Sequence, residues 1–397
     1  MRVLVLSQHF PPEITAASFR IRAFAEALAD RGHEVEVVCP VPNHPRGVIE
    51  PGFRGRATVR RSVNGVRVRH LWVFARPRKT TLARLGYYGS YAAAASLAGP
   101  LMPRPDVVLA SSPPLTVGVA GVASAAVHRC PLVFDVRDLW PESAVAFGEL
   151  TDGRMVRGLE RLERYLYRRS DLILTPNDAF RRQIGSQTTT RVEVAPNGTT
   201  RDWLTAGETE VDREELGLSP DRFVWAYAGN LGLAHPLDDA VDAAAALGDQ
   251  FQLLVIGDGP RRAALVERAS GLPPGSVEFR PLMPPAEAAR HLRAADAVLV
   301  AERQPKTVPA KLYDCAAIGR PVVAICGGEL ERVVTEKEIA VPVPLDDPTG
   351  LAEGLRRLRG DRALGGQLVE RARSFAESHQ RDRQAAEVAR LLEELAG

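Results

Sequence analysis

The chain is 397 residues long, 45% hydrophobic and 25% charged, with a formal charge of +2, the profile of a globular protein of roughly two domains at about 100–200 residues each. It excludes a small disulfide scaffold, a disordered tail and a nucleic-acid binder recruited by bulk charge, although the small total hides a split: residues 1–200 hold 27 Lys and Arg against 17 Asp and Glu, the remainder 24 against 32. Four scattered cysteines (Cys39, Cys130, Cys315, Cys326) without C-x-x-C spacing fit a reducing compartment, and the lack of a signal-like N-terminus or a long apolar run predicts a cytoplasmic protein.

Short apolar runs alternate with helix-length amphipathic stretches throughout. The first strand is VLVLS at 3–7, followed by a helix with Ile21, Phe24, Ala25 and Leu28 on one face and a stop at Gly32. Strands are then expected at 34–39, 66–73, 106–111, 131–136, 171–175 and 192–196. A polar segment over 201–219 separates these from a second series at 223–229, 251–257, 277–281, 296–301, 321–326 and 339–343. Near-continuous apolar runs between helices read as parallel strands buried on both faces. Two such arrays predict an α/β chain of two doubly wound domains with a cleft between them, over residues 1–200 and 201–379, and ligands outside the carboxyl ends of the strands.

The loops after the strands therefore carry the candidate chemistry. In AGNLG, Gly229 and Gly232 flank Asn230; they form either a tight turn or a phosphate approach at a helix N-terminus. Gly257 and Gly259 in GDGP are equally open, since Asp-Gly is a common turn and no third glycine completes a dinucleotide fingerprint. Downstream, Lys306 stands in a proline-bounded loop, and Lys311 and Asp314 stand three apart on one helix face. A lysine suits diphosphate oxygens and an aspartate suits vicinal ribose hydroxyls; the bland alternative is a surface ion pair worth about 0.2–0.5 kcal/mol. In the first domain, Arg137, Asp138 and Glu142 follow the strand at 131–136, where an acceptor hydroxyl could be held and partly deprotonated. Asp135 could instead be a buried capping residue, and Asp138 could simply pair with Arg137. Pro12 and Glu13, in QHFPPE, leave the first strand as a rigid wall. No Asp-x-Asp pair occurs, which argues against a carboxylate clamp for metal.

From Arg46 to Arg84 ten Arg and one Lys face a single acid, Glu50, and an apolar stretch ending at Met102 follows. Such a juxtaposition can hold a protein on an anionic membrane at about 1 kcal/mol per basic residue; alternatively the arginines are solvated and 85–102 is a core helix.

On these residues, and on SQHFPPE, PNHPRGVI, ASSPPLTVG, VFDVRDLWPES, APNGTT, YAGNLG, VIGDGP and KLYDCAAIGRPVV, the chain resembles the retaining, nucleotide-sugar-dependent glycosyltransferases of family 4, with the GT-B fold. It is similar to their bacterial polysaccharide branch, which includes the fucosamine transferase of O-antigen synthesis. The resemblance implies two Rossmann-like domains facing a central cleft, with the last helix (380–397) returning to the first. It implies no cofactor or metal, a nucleotide-sugar donor, a lipid-linked or small-molecule glycan acceptor, and peripheral membrane contact. Gly229 and Asn230 would abut the donor diphosphate, with Lys311 neutralising it. Asp314 stands where the family has the Glu that grips the ribose. Asp138 would orient the acceptor, since departing diphosphate takes its proton. Pro305, Lys306 and Thr307 replace the family's Glu-Gly, which bears on donor identity. Alternatives are a nucleotide-sugar epimerase of the same architecture, which needs no acceptor, and a degenerate, non-catalytic transferase.

Overall fold

The computed structural model describes residues 1–397 except Pro45, residues 78–80, Glu149 and Asp152, and the side chains of Thr81 and Leu82. Arg78 and Lys79 of the basic stretch thus lie outside the described residues. In chain order the first elements are β1 (Arg2–Ser7), α1 (Ala16–Asp30), β2 (Glu34–Pro40), β3 (Thr58–Val63), β4 (Val66–Leu71), α2 (Thr81–Ala98) and β5 (Val107–Ser112). They continue with α3 (Thr116–His128), β6 (Leu132–Val136), α4 (Glu142–Ala146), α5 (Gly153–Arg169), β7 (Leu172–Thr175), α6 (Asp178–Gly185) and β8 (Arg191–Val194). The second series is α7 (Arg201–Glu208), β9 (Phe223–Ala228), α8 (Leu237–Leu247), β10 (Phe251–Ile256), α9 (Arg262–Ala269), β11 (Val277–Arg280) and α10 (Pro285–Ala294). It ends with β12 (Ala297–Ala301), α11 (Ala310–Ala317), β13 (Val322–Ile325), α12 (Gly328–Glu336), β14 (Val341–Val343), α13 (Pro348–Gly360), α14 (Arg362–Ser378) and α15 (Arg381–Ala396).

The chain divides into two units, Met1–Pro196 with Arg381–Gly397, and Asn197–Gln380. The first unit holds an eight-stranded sheet in the order β3-β4-β2-β1-β5-β6-β7-β8. All its pairings are parallel except β3 with β4. That hairpin corrects the expectation of parallel strands alone: residues 58–63 carry Arg60 and Arg61 on an edge strand, and only Val59 of it is fully buried, so no apolar run announces it. In β1, Val3 and Val5 face the helices on one side of the sheet and Leu4 and Leu6 those on the other, because side chains alternate along a strand.

The C-terminal helix belongs to this unit. Ala385, Val388, Ala389 and Leu392 of α15 share a core with Ile21, Phe24, Ala25 and Leu28 of α1. Its end is fastened by Glu393, which accepts hydrogen bonds from Arg31 Nε at 2.8 Å and Nη2 at 2.6 Å and pairs with His33 at 2.7 Å. Helix α1 starts at Thr15, whose hydroxyl accepts from the Ser18 amide while the Ser18 hydroxyl accepts from the Thr15 amide, a reciprocal cap of two otherwise unpaired donors.

The second unit holds a six-stranded parallel sheet, β11-β10-β9-β12-β13-β14, with apolar cores on both faces. The expected polar segment at 201–219 contains a helix: α7 buries Leu204 and Gly207 against the second unit's core. In each sheet the strand order reverses beside the unit's first strand, between β1 and β5 and between β9 and β12. The carboxyl ends at those reversals are where such sheets leave a ligand crevice.

Candidate functional site

The second unit brings its candidates together at the reversal. Lys311, in the first turn of α11, crosses to β9: its Nζ donates to the Tyr227 hydroxyl and lies 3.8 Å from the centroid of that ring. The Tyr227 hydroxyl donates in turn to the Asn230 carbonyl at 2.7 Å. Burial pulls the Lys311 ammonium down to about 8, an effect only partly offset by Cys315 and by the carboxylate of Glu302. Among the described residues Lys311 forms no ion pair within 4 Å. A desolvated cation without an ion pair attracts an anion strongly. The amides opening α11 add to this, because Pro309 at its N-cap offers no side-chain cap.

Asp314 lies one turn further along α11. Its Oδ1 accepts from the fully buried Thr199 hydroxyl at 3.0 Å. His235 donates from Nδ1 to the Ala301 carbonyl at 2.9 Å, and burial together with the charge of Lys311 lowers it to about 4. It is therefore a neutral imidazole at neutral pH. Lys306 occupies the turn before α11, whose Pro305 carbonyl accepts from the Glu329 amide at 2.7 Å.

The glycines act mainly through packing. Gly229 has φ 149° and Gly257 has φ 147°. A Cβ at 257 would overlap the Gly229 carbonyl oxygen, and one at 229 would fall 2.7 Å from Lys311 Nζ. Gly259 abuts the Leu231 carbonyl, and Gly232 abuts the Asn230 amide. The two loops are joined by backbone bonds from Gly229 to Ile256 and from Leu231 to Asp258, both at 2.9 Å. Gly229 thus makes room for Lys311, and Gly232 and Gly259 make room for the Asn230 side chain.

In the first unit the candidates divide. Asp135 is fully buried between Arg20, whose Nη2 donates to Oδ1 at 2.9 Å, and Ser111, whose hydroxyl donates to Oδ2 at 2.8 Å. Arg137 donates from Nε to the Ser111 hydroxyl at 2.9 Å and lies 3.7 Å from Asp135; burial lowers it to about 10. Arg137 thus pairs with Asp135 rather than with Asp138, which accepts from the Ser143 hydroxyl at 2.9 Å. Burial raises the Asp138 carboxyl despite that bond. Glu142 accepts from Gln183 on α6 at 2.6 Å.

Glu13, beside Pro12, is buried and both its oxygens are engaged. Oε1 accepts from the Asn43 amide at 2.8 Å and the His44 amide at 2.9 Å, and Oε2 meets His9 Nδ1 at 2.6 Å. Burial works to raise this carboxyl, but the hydrogen bond to His9 and those from the Asn43 and His44 amides hold it below the usual value. Glu13 therefore ties the loop after β1 to the loop after β2.

Sequence reading missed Tyr227, Thr199 and Glu302. Each lies within a stretch of note, YAGNLG, APNGTT and the exit of β12, but hydroxyls and a lone carboxylate there give no spacing of their own.

The basic stretch is partly neutralised. Arg67 pairs with Glu34 at 3.0 Å and Arg69 with Glu36 at 2.9 Å, while Arg61 and Arg76 lie over Phe53 and Phe74. Helix α2 packs into the core through Tyr91, whose hydroxyl donates to the Val38 carbonyl at 2.7 Å, and Ala95. Trp72 (48%), Leu97 (72%) and Leu101 (82%) remain exposed. Among the described residues no helix is long and apolar enough to cross a membrane.

Comparison with known proteins agrees with this architecture. Residues 15–198 match the family described as glycosyl transferase 4-like domain, and residues 222–361 the family described as glycosyl transferases group 1. The Escherichia coli K12 protein named as colanic acid biosynthesis glycosyl transferase WcaI is 23% identical over 379 residues, covering 90% of this chain and 92% of that one. A D-inositol 3-phosphate glycosyltransferase of Nocardia farcinica is 30% identical over 205 residues, 48% of this chain and 45% of that one. Among solved structures, sucrose-phosphate synthase of Thermosynechococcus elongatus superposes with a TM-score of 0.76 at 18% identity, covering 99% and 98% of the two chains. HepE of Anabaena, in complex with UDP and glucose, gives 0.72 at 17%, covering 100% of each. These findings do not favour the epimerase. The chain is a glycosyltransferase of the GT-B type, with a family 4-like N-terminal domain and a group 1 C-terminal domain.

Proposed function

We propose that the protein moves a sugar from a nucleotide-diphosphate sugar to an acceptor hydroxyl with retention of anomeric configuration, in the making of a bacterial surface polysaccharide or glycoconjugate. The observation that carries this reading is Lys311, a desolvated cation held by Tyr227 at the reversal of the second sheet without an ion pair among the described residues. Lys311 and the first amides of α11 would take the charge that develops on the departing diphosphate, with no metal required. Asp314, held by Thr199, would accept the ribose hydroxyls. In the first unit Arg137 and Asp138 would orient the acceptor, and the departing diphosphate would receive its proton. The work of the protein is then positioning and electrostatics. The names of WcaI and of a lipopolysaccharide-pathway neighbour, WaaG, support the polysaccharide setting.

A binding screen of UDP-, GDP- and dTDP-sugars tests the donor, with UDP-sugars first because HepE is described in complex with UDP-glucose. One class should bind saturably and release its nucleoside diphosphate when acceptor is added, and the product anomer should match the donor's. Absence of binding in all three classes would overturn the reading.

We further propose peripheral contact with the inner face of the membrane through the basic hairpin and the exposed Trp72, Leu97 and Leu101. Sedimentation with anionic liposomes at low salt tests it, and no pelleting would sink it.

A further inference from the structure

The loop after β1 carries a pairing that the transfer reading above does not use. Ser7 ends β1, and its hydroxyl donates to the His9 carbonyl at 2.8 Å while accepting from the His9 amide at 3.3 Å, so the backbone at His9 is fixed. The imidazole is then oriented by Glu13, whose Oε2 lies 2.6 Å from Nδ1. Glu13 is itself immobilised by two backbone amides. An ionised carboxylate only accepts hydrogen bonds, so Nδ1 must carry the proton and the lone pair of the neutral ring lies on Nε2. Among the described residues Nε2 has no hydrogen-bond partner. The side chain is 21% exposed, and its ring meets that of the exposed His44 edge-on at 5.4 Å.

This arrangement stands where the first sheet reverses, between β1 and β5, where doubly wound sheets bind ligands. A buried carboxylate behind the ring and a lone pair in front of it disfavour a phosphate and favour a neutral hydrogen-bond donor. We propose that His9 is an acceptor-positioning residue, presenting Nε2 to a hydroxyl group of the acceptor sugar. The proposal rests on the reading of the first unit as the acceptor side.

Two measurements test it. Nitrogen-15 NMR of the histidine rings in the full chain should show His9 as the Nδ1–H tautomer in its neutral form; an Nε2–H tautomer would overturn the proposal. Titration with p-nitrophenyl glycosides at millimolar concentration should shift the His9 Nε2 resonance in wild type; no shift with any glycoside would overturn it as well. In the transfer assay His9→Phe should raise the acceptor KM about tenfold, with kcat and the hydrolysis of donor by water nearly unchanged. His9→Gln, whose amide oxygen falls near the Nε2 position, should recover most of the affinity. An unchanged acceptor KM in His9→Phe would overturn the role of His9 alone, whereas wild type that binds no nucleotide sugar would overturn the transferase reading instead.

Discussion

The two units place charge at the reversals of their sheets in opposite ways. In the first, the buried carboxylates are engaged: Asp135 lies between Arg20 and Arg137, and Glu13 accepts from His9 and two backbone amides. In the second, Lys311 rests on the ring and hydroxyl of Tyr227. A matched buried pair organises loops and costs stability when broken, whereas an unmatched desolvated cation keeps its attraction for a ligand. On the proposed function, the difference separates an acceptor side suited to a neutral hydroxyl from a donor side suited to a diphosphate.

The largest effect that would break this contrast is at Lys311. Lys311→Met should reduce release of nucleoside diphosphate by about 10²–10³-fold with no fall in the thermal midpoint, because it removes a desolvated charge that has no ion pair, while Tyr227 keeps its bond to the Asn230 carbonyl. Near-normal turnover would show that the cation serves the fold. Asp135→Asn should do the reverse. It leaves two guanidiniums without their carboxylate and should cost about 3–5 kcal/mol in urea unfolding, and a loss below 1 kcal/mol would mean that the pair is not organising the loop.

Gly257→Ala should cost about 1–3 kcal/mol, since a methyl group there overlaps the Gly229 carbonyl; donor affinity measured by calorimetry should fall with it, because the same shift displaces Gly229 from Lys311. Tyr227→Phe removes one hydrogen bond to Lys311 and one to Asn230. It should weaken donor binding by about fivefold, near 1 kcal/mol, with acceptor KM unchanged.

The pH dependence sharpens the contrast further. With Lys311 lowered from 10.5 to about 8 in the folded protein, the unfolded chain binds the extra proton between those values, so the Lys311 contribution makes the free protein more stable as pH rises from 8 to 10.5. Donor affinity should move the other way, falling above about pH 8 as the ammonium is lost. Lys311→Arg, always charged, should abolish that fall. A donor affinity flat between pH 7 and 10 in wild type would place the binding charge elsewhere.

Much was legible before any coordinates. Runs such as LVLS and VVLAS announce doubly buried parallel strands because a strand covered on both faces has no polar alternation, and the loops that follow them could be searched directly. Lys311 and Asp314 were readable from their spacing of three on a helix. The edge strand β3 was not, because its arginines face solvent and only its two valines, Val59 and the half-buried Val63, reach the cores. Nor could the role of Glu13 be seen: as an isolated acid after two prolines it looked like part of an acceptor wall, and only the approach of residues 43–44 reveals that Oε1 accepts two backbone amides while Oε2 meets His9.

The sequence by itself determined the strand-and-helix alternation, the two arrays and the positions of the candidate loops, since apolar periodicity and glycine placement are local properties of the chain. Which side chains meet was decided by tertiary structure alone. Tyr227 lies 84 residues from Lys311, Thr199 lies 115 from Asp314 and Arg20 lies 115 from Asp135. Whether a cation ends up matched or exposed to a ligand depends on what the sheet brings alongside it, and no spacing within one segment encodes that.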